Sequence, residues 1–236
     1  MKIFLSAFLL LIQFTVFSQQ EDIGSWTVIN TRLDLTPKWS VFNELQLRSQ
    51  SFYRNFYYYE VKGGISYSID KNFSVLLGTG KYMTYSDSGS FKDPVIANEW
   101  RFWQQITMKH HLERIKFEHR YRIEQRWFKN NNYRNRFRYR LSAALPLNNK
   151  TFKPKTFYLS VFNEVFFTDT EPYFERNRFF AGAGYQLSKY FTIQPAWVYQ
   201  YDYRNGKGHG KNFFQLTLMI ELDAKNPHRK IPGTED

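Results

Sequence analysis

Arginine occupies alternate positions in two neighbouring stretches of the chain. The first stretch contains Arg120, Arg122 and Arg126, and the second contains Arg134, Arg136, Arg138 and Arg140. Guanidinium groups two residues apart on a β-strand lie about 7 Å from each other, where like charges repel unless carboxylates, water or anions separate them. Such rows could therefore form a rigid lattice of Arg–carboxylate pairs or could bind anions.

The residues between these arginines indicate the element that positions them. In the first stretch the odd positions hold Phe117, Tyr121 and Ile123, whereas the even positions are charged. Side chains alternate between the two faces of a strand, so a segment of this kind has one apolar and one charged face. Eleven such segments predict eleven strands in a single domain, near residues 25–35, 39–49, 57–69, 73–85, 98–109, 113–127, 134–145, 156–168, 176–187, 190–203 and 212–222.

The overall composition excludes several classes of protein. The chain has 236 residues, 33 Lys and Arg against 21 Asp and Glu, no Cys and 20% aromatic residues. A mean hydropathy of −0.57 excludes a bundle of membrane helices. The absence of Cys excludes a disulfide scaffold, a thiolate zinc site and a cysteine nucleophile. The aromatic content excludes a disordered basic tail, despite the formal charge of +12.

The first eighteen residues have the pattern of a secretory signal. Lys2 precedes an apolar run from Ile3 to Phe17, and Ser18 is a suitable cleavage position. We therefore predict a signal peptide at 1–18, because the run is shorter than the ~20 residues that a retained membrane anchor needs. An exported protein works outside the cytoplasm, so nucleic acid is not an expected partner.

The alternating segments fit either a soluble β-sandwich or a membrane β-barrel. Three features favour the barrel: the export signal, connections that alternate between short and long, and aromatic residues near the ends of the apolar faces. The predicted long connections include 49–56 and 204–211. We predict an all-β fold, a transmembrane antiparallel up-and-down β-barrel of about 10–12 strands of the outer-membrane type. It would span residues 19–222 in the cell outer membrane and be followed by a polar tail at 223–236.

Two details depart from a simple barrel. Bacterial single-chain barrels have an even number of strands, so eleven segments imply a hidden twelfth strand, a wrong assignment, or residues 19–25 threaded through the lumen. Lys81 falls on a lipid-facing position, and a bulge near Gly78 and Gly80 could turn it inward.

Several motifs in the central strands carry a resemblance to a known family. They are Glu99-Trp100-Arg101 with Gln104, the run from Arg120 to Arg126, the run from Arg136 to Arg140, Asn163-Glu164, and Asn177-Arg178. In their order and spacing these motifs resemble an uncharacterised family of bacterial outer-membrane proteins, domain of unknown function 2490, over roughly residues 25–222. The resemblance implies an outer-membrane β-barrel and brings no activity, ligand or catalytic residue.

If the apolar faces contact lipid, the polar faces line the lumen. The inward cations would be Arg32, Arg48, Lys62, Arg101, Lys109, Lys116, Arg120, Arg122, Arg126, Arg134, Arg136, Arg138, Arg140, Arg176 and Arg178. The inward anions would be Asp34, Glu44, Glu60, Glu99, Glu118, Glu124, Glu164 and Glu221. The cations exceed the anions by seven, and we expect the central residues to form a lumen charge network. Its predicted members are Glu99, Arg101, Glu118, Arg120, Arg122, Glu124, Arg126, Arg134, Arg136, Arg138, Arg140, Glu164 and Arg178.

Three functions are compatible with such a network. The first is a structural ion-pair lattice that braces the barrel, and it is the main prediction. The second is a narrow, porin-like anion-preferring channel or a binder of a small anionic solute, limited by the size of a barrel with ten to twelve strands. The third is an outer-membrane hydrolase, but His119 on the apolar face has no Ser, Asp or Glu beside it on its strand.

We therefore predict that the chain is not an enzyme, and we assign it no catalytic, cofactor-binding or metal-binding residue. His110 and His111 fall in a predicted turn, and neither they nor His209 belong to a metal-ligand motif. The expected partners are outer-membrane lipids and, under the second function, a small anionic solute. The sequence leaves the oligomeric state open.

Overall fold

The computed structural model describes residues 23–86, 90–92, 94–129, 132–204 and 206–224. The predicted signal peptide at 1–18 and most of the predicted polar tail at 223–236 lie outside the described residues. The strands are β1 Gly24–Asp34, β2 Trp39–Ser51, β3 Arg54–Ser68, β4 Phe73–Tyr85, β5 Val95–Leu112, β6 Ile115–Phe128, β7 Tyr133–Pro146, β8 Thr156–Thr168, β9 Phe174–Gln186, β10 Phe191–Arg204 and β11 Lys207–Asp223. Among the described residues no helix is long and apolar enough to cross a membrane.

The eleven strands form one closed barrel, which confirms the predicted all-β barrel fold. Each strand pairs with the next in an antiparallel hairpin, and β1 closes the barrel by pairing with β11 in parallel. The parallel ladder runs from Gly24 opposite Phe213 to Asp34 opposite Asp223. With an odd number of strands the first and last run in the same direction, so the predicted all-antiparallel arrangement is wrong at this one seam. The described barrel contains no twelfth strand.

The connections lie at two ends of the barrel. We call the end with the β1–β2, β3–β4, β5–β6, β7–β8 and β9–β10 connections the turn end, and the opposite end the loop end. Two of the predicted long loops are wrong. β2 continues to Ser51 and β3 begins at Arg54, and only residues 205–206 separate β10 from β11. The flanking residues continue the hairpin ladders instead, as in the pair Tyr203 and Gly208.

The outer wall of the barrel is apolar and its interior is largely polar. Trp100 and Ile106 point outward from β5, with 54% and 53% of their surface exposed. Glu124 and Glu164 point inward and are 0% and 1% exposed. The charged face of each strand is therefore the enclosed one, as expected for a barrel with lipid outside.

Lys81 remains on the outer wall, and the predicted bulge that would turn it inward is wrong. The register of β3, β4 and β5 is continuous around Lys81, which pairs with Trp100, and the irregularity of β4 lies between Thr84 and Tyr85. The Lys81 ammonium lies 5.5 Å from the centroid of the Trp100 ring. A long Lys side chain can lay its aliphatic stem on apolar surface while its charge stays at the polar edge of that surface.

Aromatic side chains pair on the outer wall near both ends. At the turn end Trp39 and Tyr67 lie 4.7 Å apart between ring centroids. At the loop end the Trp127 and Tyr133 centroids are 5.4 Å apart. Aromatic girdles at two levels are typical of barrels that cross a bilayer.

The interior has an apolar side and a charged side. Buried apolar residues on β1 and β9–β11 pack into one cluster, formed by Trp26, Val28, Phe180, Ala196, Val198 and Phe213 with Phe162 against it. The inward faces of β5–β8 carry most of the Arg and Glu residues. On β4 the inward position opposite Trp103 is Gly78, and a Cβ there would lie 2.2 Å from the indole ring. Glycine at this position therefore lets the buried Trp103 ring lie flat against the wall.

Candidate functional site

Glu124 lies at the centre of the charged side. Its carboxylate is completely buried and receives Arg136 Nη2 and Arg138 Nη1, each at 2.5 Å. Arg122 and Arg101 lie further away, at 3.5 and 3.9 Å. These residues come from β5, β6 and β7, where the pleat places one inward side chain every two residues.

Glu164 on β8 is the second centre. It receives Arg120 at 2.5 Å, Arg138 at 2.8 Å and Arg178 at 3.4 Å. Arg138 contacts both centres, so it joins the pairs around Glu124 to those around Glu164. Charge-assisted hydrogen bonds of this kind are the strong ones, particularly where the pairs are shielded from water.

A third group of ion pairs lies closer to the loop end. Glu99 receives Arg101 and Arg126, both at 2.9 Å. Glu175 receives Arg136 at 3.1 Å and Arg126 at 3.3 Å, and so connects this group to Glu124. We call the connected set the ion-pair lattice: Glu99, Arg101, Arg120, Arg122, Glu124, Arg126, Arg136, Arg138, Glu164, Glu175 and Arg178.

Glu175 was missing from the predicted network. The register of β8 and β9 shifts between Phe166 and Phe167, so that Phe166 pairs with Arg176 and Phe167 with Phe174. Glu175 is the extra residue of a β-bulge, which allows both it and Arg176 to reach the interior. Simple alternation cannot predict this, because it assigns neighbouring residues to opposite faces.

Asp202 on β10 was also missed, although the sequence carried a signal for it. The inward positions of β10 are even-numbered and include the buried Gln194 and Gln200. Asp202 continues this series and forms an ion pair with Arg176. Its neighbour Gln200 Nε2 donates to Asp202 at 2.8 Å.

Aromatic rings compensate part of the excess positive charge. The Arg48 guanidinium lies between two rings, 3.6 Å from the Trp26 centroid and 4.2 Å from the Tyr58 centroid. Arg101 lies 3.7 Å from the Tyr82 centroid. The buried Phe166 ring lies within reach of four guanidinium groups, those of Arg136, Arg138, Arg176 and Arg178, at 4.5–5.6 Å. The negative face of an aromatic ring attracts a cation, most strongly where water is excluded.

The structure places the thirteen predicted network residues in three locations. Ten belong to the ion-pair lattice. Arg140 and Glu118 form a separate pair at 2.8 Å, nearer the turn end. Arg134 does not join either group: it is exposed at the loop end, with its guanidinium carbon 5.9 Å from the Phe128 ring centroid.

A polar cavity of about 570 Å³ occupies the turn-end half of the lumen. We call it the turn-end cavity. Its lining includes nine cations, Arg32, Lys62, Lys109, Lys116, Arg120, Arg122, Arg138, Arg140 and Arg178, and four described carboxylates, Glu44, Glu118, Glu164 and Glu221. Part of the difference is met by carboxylates outside the lining, since Arg32 pairs with Asp34 at 2.8 Å. The lining therefore carries more positive than negative side chains.

His119 lies on the outer wall and not in the lumen. Its Nδ1 is 2.9 Å from the Tyr139 hydroxyl, and its ring stacks on His110 with 5.3 Å between centroids. Within the described part of the chain, no group of three or more His, Asp or Glu residues is arranged to hold a metal ion.

Two pairs of amide side chains on the apolar outer wall bind each other across neighbouring strands. Gln104 and Gln125, on β5 and β6, exchange two amide hydrogen bonds of 3.3 and 3.2 Å. Asn163 and Asn177, on β8 and β9, do the same at 3.1 and 3.0 Å. Reciprocal pairing satisfies amides that would have no water to bind in hydrocarbon.

Comparison with known proteins gives one family and one solved structure. The family described as "Protein of unknown function (DUF2490)" matches residues 23–211. The structure of LpxR from Salmonella typhimurium is similar with a TM-score of 0.46 and 13% sequence identity, covering 77% of this chain and 83% of that chain. None of the curated proteins matches.

One prediction made from the sequence needs correction. The prediction that this chain is not an enzyme is wrong as an exclusion. The prediction based on His119 considered only residues on its own strand. Catalytic partners can also come from residues that are distant in sequence and meet only in the folded chain. The remote likeness assigns neither an activity nor a catalytic residue to this chain.

Proposed function

The chain belongs to the DUF2490 family, whose description names no activity, and we propose that it is an outer-membrane barrel closed at its loop end by the ion-pair lattice. The observation that carries this proposal is the complete burial of Glu124 among four guanidinium groups. A chain of contacts from Glu99 to Arg178 joins the inward faces of β5 to β9 at this level. The lattice both braces the wall and fills the passage.

The outer wall supports the proposed membrane location. Its exposed apolar side chains, the aromatic pairs at both ends and the reciprocally bonded amides all suit a hydrocarbon environment. Membrane lipids are therefore the proposed partner of this wall. The loop end would face the exterior and the turn end the periplasm, as in other outer-membrane barrels.

The lattice is expected to resist opening because its charges are buried. Removing one partner of a buried ion pair leaves an uncompensated charge and typically costs about 3–5 kcal/mol. Arg138 contacts both Glu124 and Glu164, so moving it would break several such contacts together. A static closure of this kind distinguishes the protein from an open porin.

Conductance of the purified protein in a planar bilayer tests the closure. We expect no steady current at several hundred millivolts for the wild-type barrel, with folding verified by faster gel mobility before boiling. The double variant Arg136→Gln/Arg138→Gln removes two guanidinium groups from Glu124 and should begin to conduct. A steady charge-selective current through the wild-type barrel would show instead that the lumen is a channel.

The turn-end cavity favours a second function, the binding of a small anionic solute. The specific observation is the excess of cations over carboxylates in its lining. The cavity lies on the proposed periplasmic side of the lattice, so a solute could bind there without crossing the membrane. This function is compatible with a closed loop end.

A further inference from the structure

Two arginines face each other directly in the turn-end cavity. Arg120 on β6 and Arg140 on β7 are Cα partners in the antiparallel ladder. Like charges at directly opposite positions destabilise a sheet unless counter-charges lie between them. Each of these arginines contacts one carboxylate through Nη2: Arg120 contacts Glu164 and Arg140 contacts Glu118.

Three polar atoms on this wall have no hydrogen-bond partner among the described residues. They are Nε of Arg120, Nε of Arg140 and Oγ of Ser142, all buried. Ser142 follows Arg140 at the next inward position of β7. Buried polar groups are nearly always satisfied, so a cluster of unpartnered donors indicates a missing acceptor.

Two lysines extend the positive surface toward the turn end. Lys116 lies two inward positions from Arg120 on β6, and Lys109 on β5 pairs with Glu118 in the ladder. Both line the turn-end cavity. Neither forms an ion pair with a carboxylate within the described residues, whereas Glu118 already binds Arg140 and Glu221 is the further carboxylate at this end of the cavity.

We propose that Arg120, Arg140, Ser142 and Lys116 form a binding site for a phosphate-class oxyanion in the turn-end cavity. This inference deepens the second function proposed above and rests on the closed barrel. A tetrahedral dianion presents several acceptor oxygens, which suits two guanidinium groups, a hydroxyl and an ammonium better than a single halide would. Small rotations of the two guanidinium groups would bring their unpartnered Nε donors toward it.

The position of the turn-end cavity inside the barrel favours a soluble oxyanion over a lipid headgroup. The strands separate the cavity from the proposed lipid surface, and its volume of about 570 Å³ accommodates a phosphate ester with a small organic group. We therefore assign the site to a soluble phosphate or phosphate ester that reaches the lumen from the turn end. A phospholipid headgroup would have to leave the bilayer and turn into the lumen.

Binding of inorganic phosphate to the full-length barrel in detergent tests the site. Isothermal titration at constant ionic strength, with chloride as the competing anion, should show saturable binding by the wild-type protein. Arg140→Gln and Lys116→Gln should each weaken it by roughly tenfold or more, the loss expected when a charged hydrogen bond is removed. Arg134→Gln removes the same charge from the same strand, outside the cavity, and should bind like wild type.

Several outcomes would contradict the proposed phosphate site. Absence of saturable binding above chloride, unchanged binding by Arg140→Gln and Lys116→Gln, or equal loss in Arg134→Gln would overturn the site. If Arg140→Gln does not reach the fast-migrating folded form, Lys116→Gln decides alone. Binding seen only with vesicles containing phosphatidylglycerol, and not with free phosphate, would contradict the soluble source. A conducting wild-type barrel would instead refute the proposed closure, so the two failures are distinguishable.

Discussion

At the scale of single residues, Glu124 shows why the charged interior can be stable. Four guanidinium groups surround one buried carboxylate, so its negative charge is shared among several donors. Burying charges is costly, and the cost is recovered only where geometry and hydrogen bonds are nearly complete. Removing the anion should therefore destabilise the barrel more than removing a surface carboxylate.

We expect Glu124→Gln to lower the free energy of unfolding by about 3–5 kcal/mol, because it leaves buried arginines without their counter-charge. Urea titration of the barrel in lipid vesicles, followed by tryptophan fluorescence, measures this difference. Glu113→Gln is the matched control, since Glu113 is exposed in the β5–β6 turn. A loss equal to that of the control would contradict the proposed role of the lattice.

Phe166 is expected to stabilise the lattice through the face of its ring. Phe166→Leu keeps an apolar side chain but removes the negative ring face near four arginines, and should cost about 1–2 kcal/mol beyond the change in packing. The neighbouring Phe167 points outward and is 44% exposed, so Phe167→Leu is the matched control. The same urea titration compares the two, and equal effects would count against cation–π stabilisation.

At the scale of the strands, alternation decides which side chains are enclosed, and bulges create the exceptions. β6 keeps its charged residues inward without interruption, whereas the bulge of β9 adds Glu175 to the inward set. On the outer faces two pairs of amide side chains occupy cross-strand positions, where they bind one another. Gln104 and Gln125 on β5 and β6 are the clearest pair.

A double-mutant cycle on Gln104 and Gln125 tests the environment of the outer wall. In hydrocarbon each single Gln→Leu change leaves an unpartnered amide and should cost about 1–3 kcal/mol, whereas the double change should be nearly neutral. If the wall faced water instead, each single substitution should change the free energy of unfolding only slightly, and the two changes should add in the double variant. Unfolding free energies in vesicles provide the four values, and an absence of coupling would contradict a lipid-facing wall.

At the scale of the whole molecule, parallel closure places the two ends of the barrel chain on opposite sides. β1 begins at Gly24 at the loop end, and β11 finishes at Asp223 at the turn end. An even-stranded antiparallel barrel would place both termini at the same end. The end of the barrel at which β1 begins therefore tests whether β1 and β11 close the barrel in parallel.

Single cysteines can locate these ends, because the natural chain has none. We expect Ile23→Cys and Lys207→Cys to react with a membrane-impermeant maleimide on intact cells, and Lys71→Cys to react only after the outer membrane is permeabilised. Ile23 and residue 207 lie at the loop end, whereas residue 71 lies in the β3–β4 turn. If Ile23→Cys reacted only after permeabilisation, as Lys71→Cys is expected to, the two positions would lie on the same side of the membrane. That result would refute the parallel pairing of β1 with β11.

The amino-acid sequence by itself determined the strands and their two faces, because alternation is a local property of an extended backbone. Alternation alone predicted ten residues that lie in the ion-pair lattice, out of thirteen predicted for the network. It also predicted the complete inward face of β6. Only the tertiary structure decided which carboxylate binds which arginine: Arg126 contacts Glu99 and Glu175, which are 27 and 49 residues away. Such contacts depend on register, on a bulge and on parallel closure, which arise from interactions between strands and have no signature within one segment.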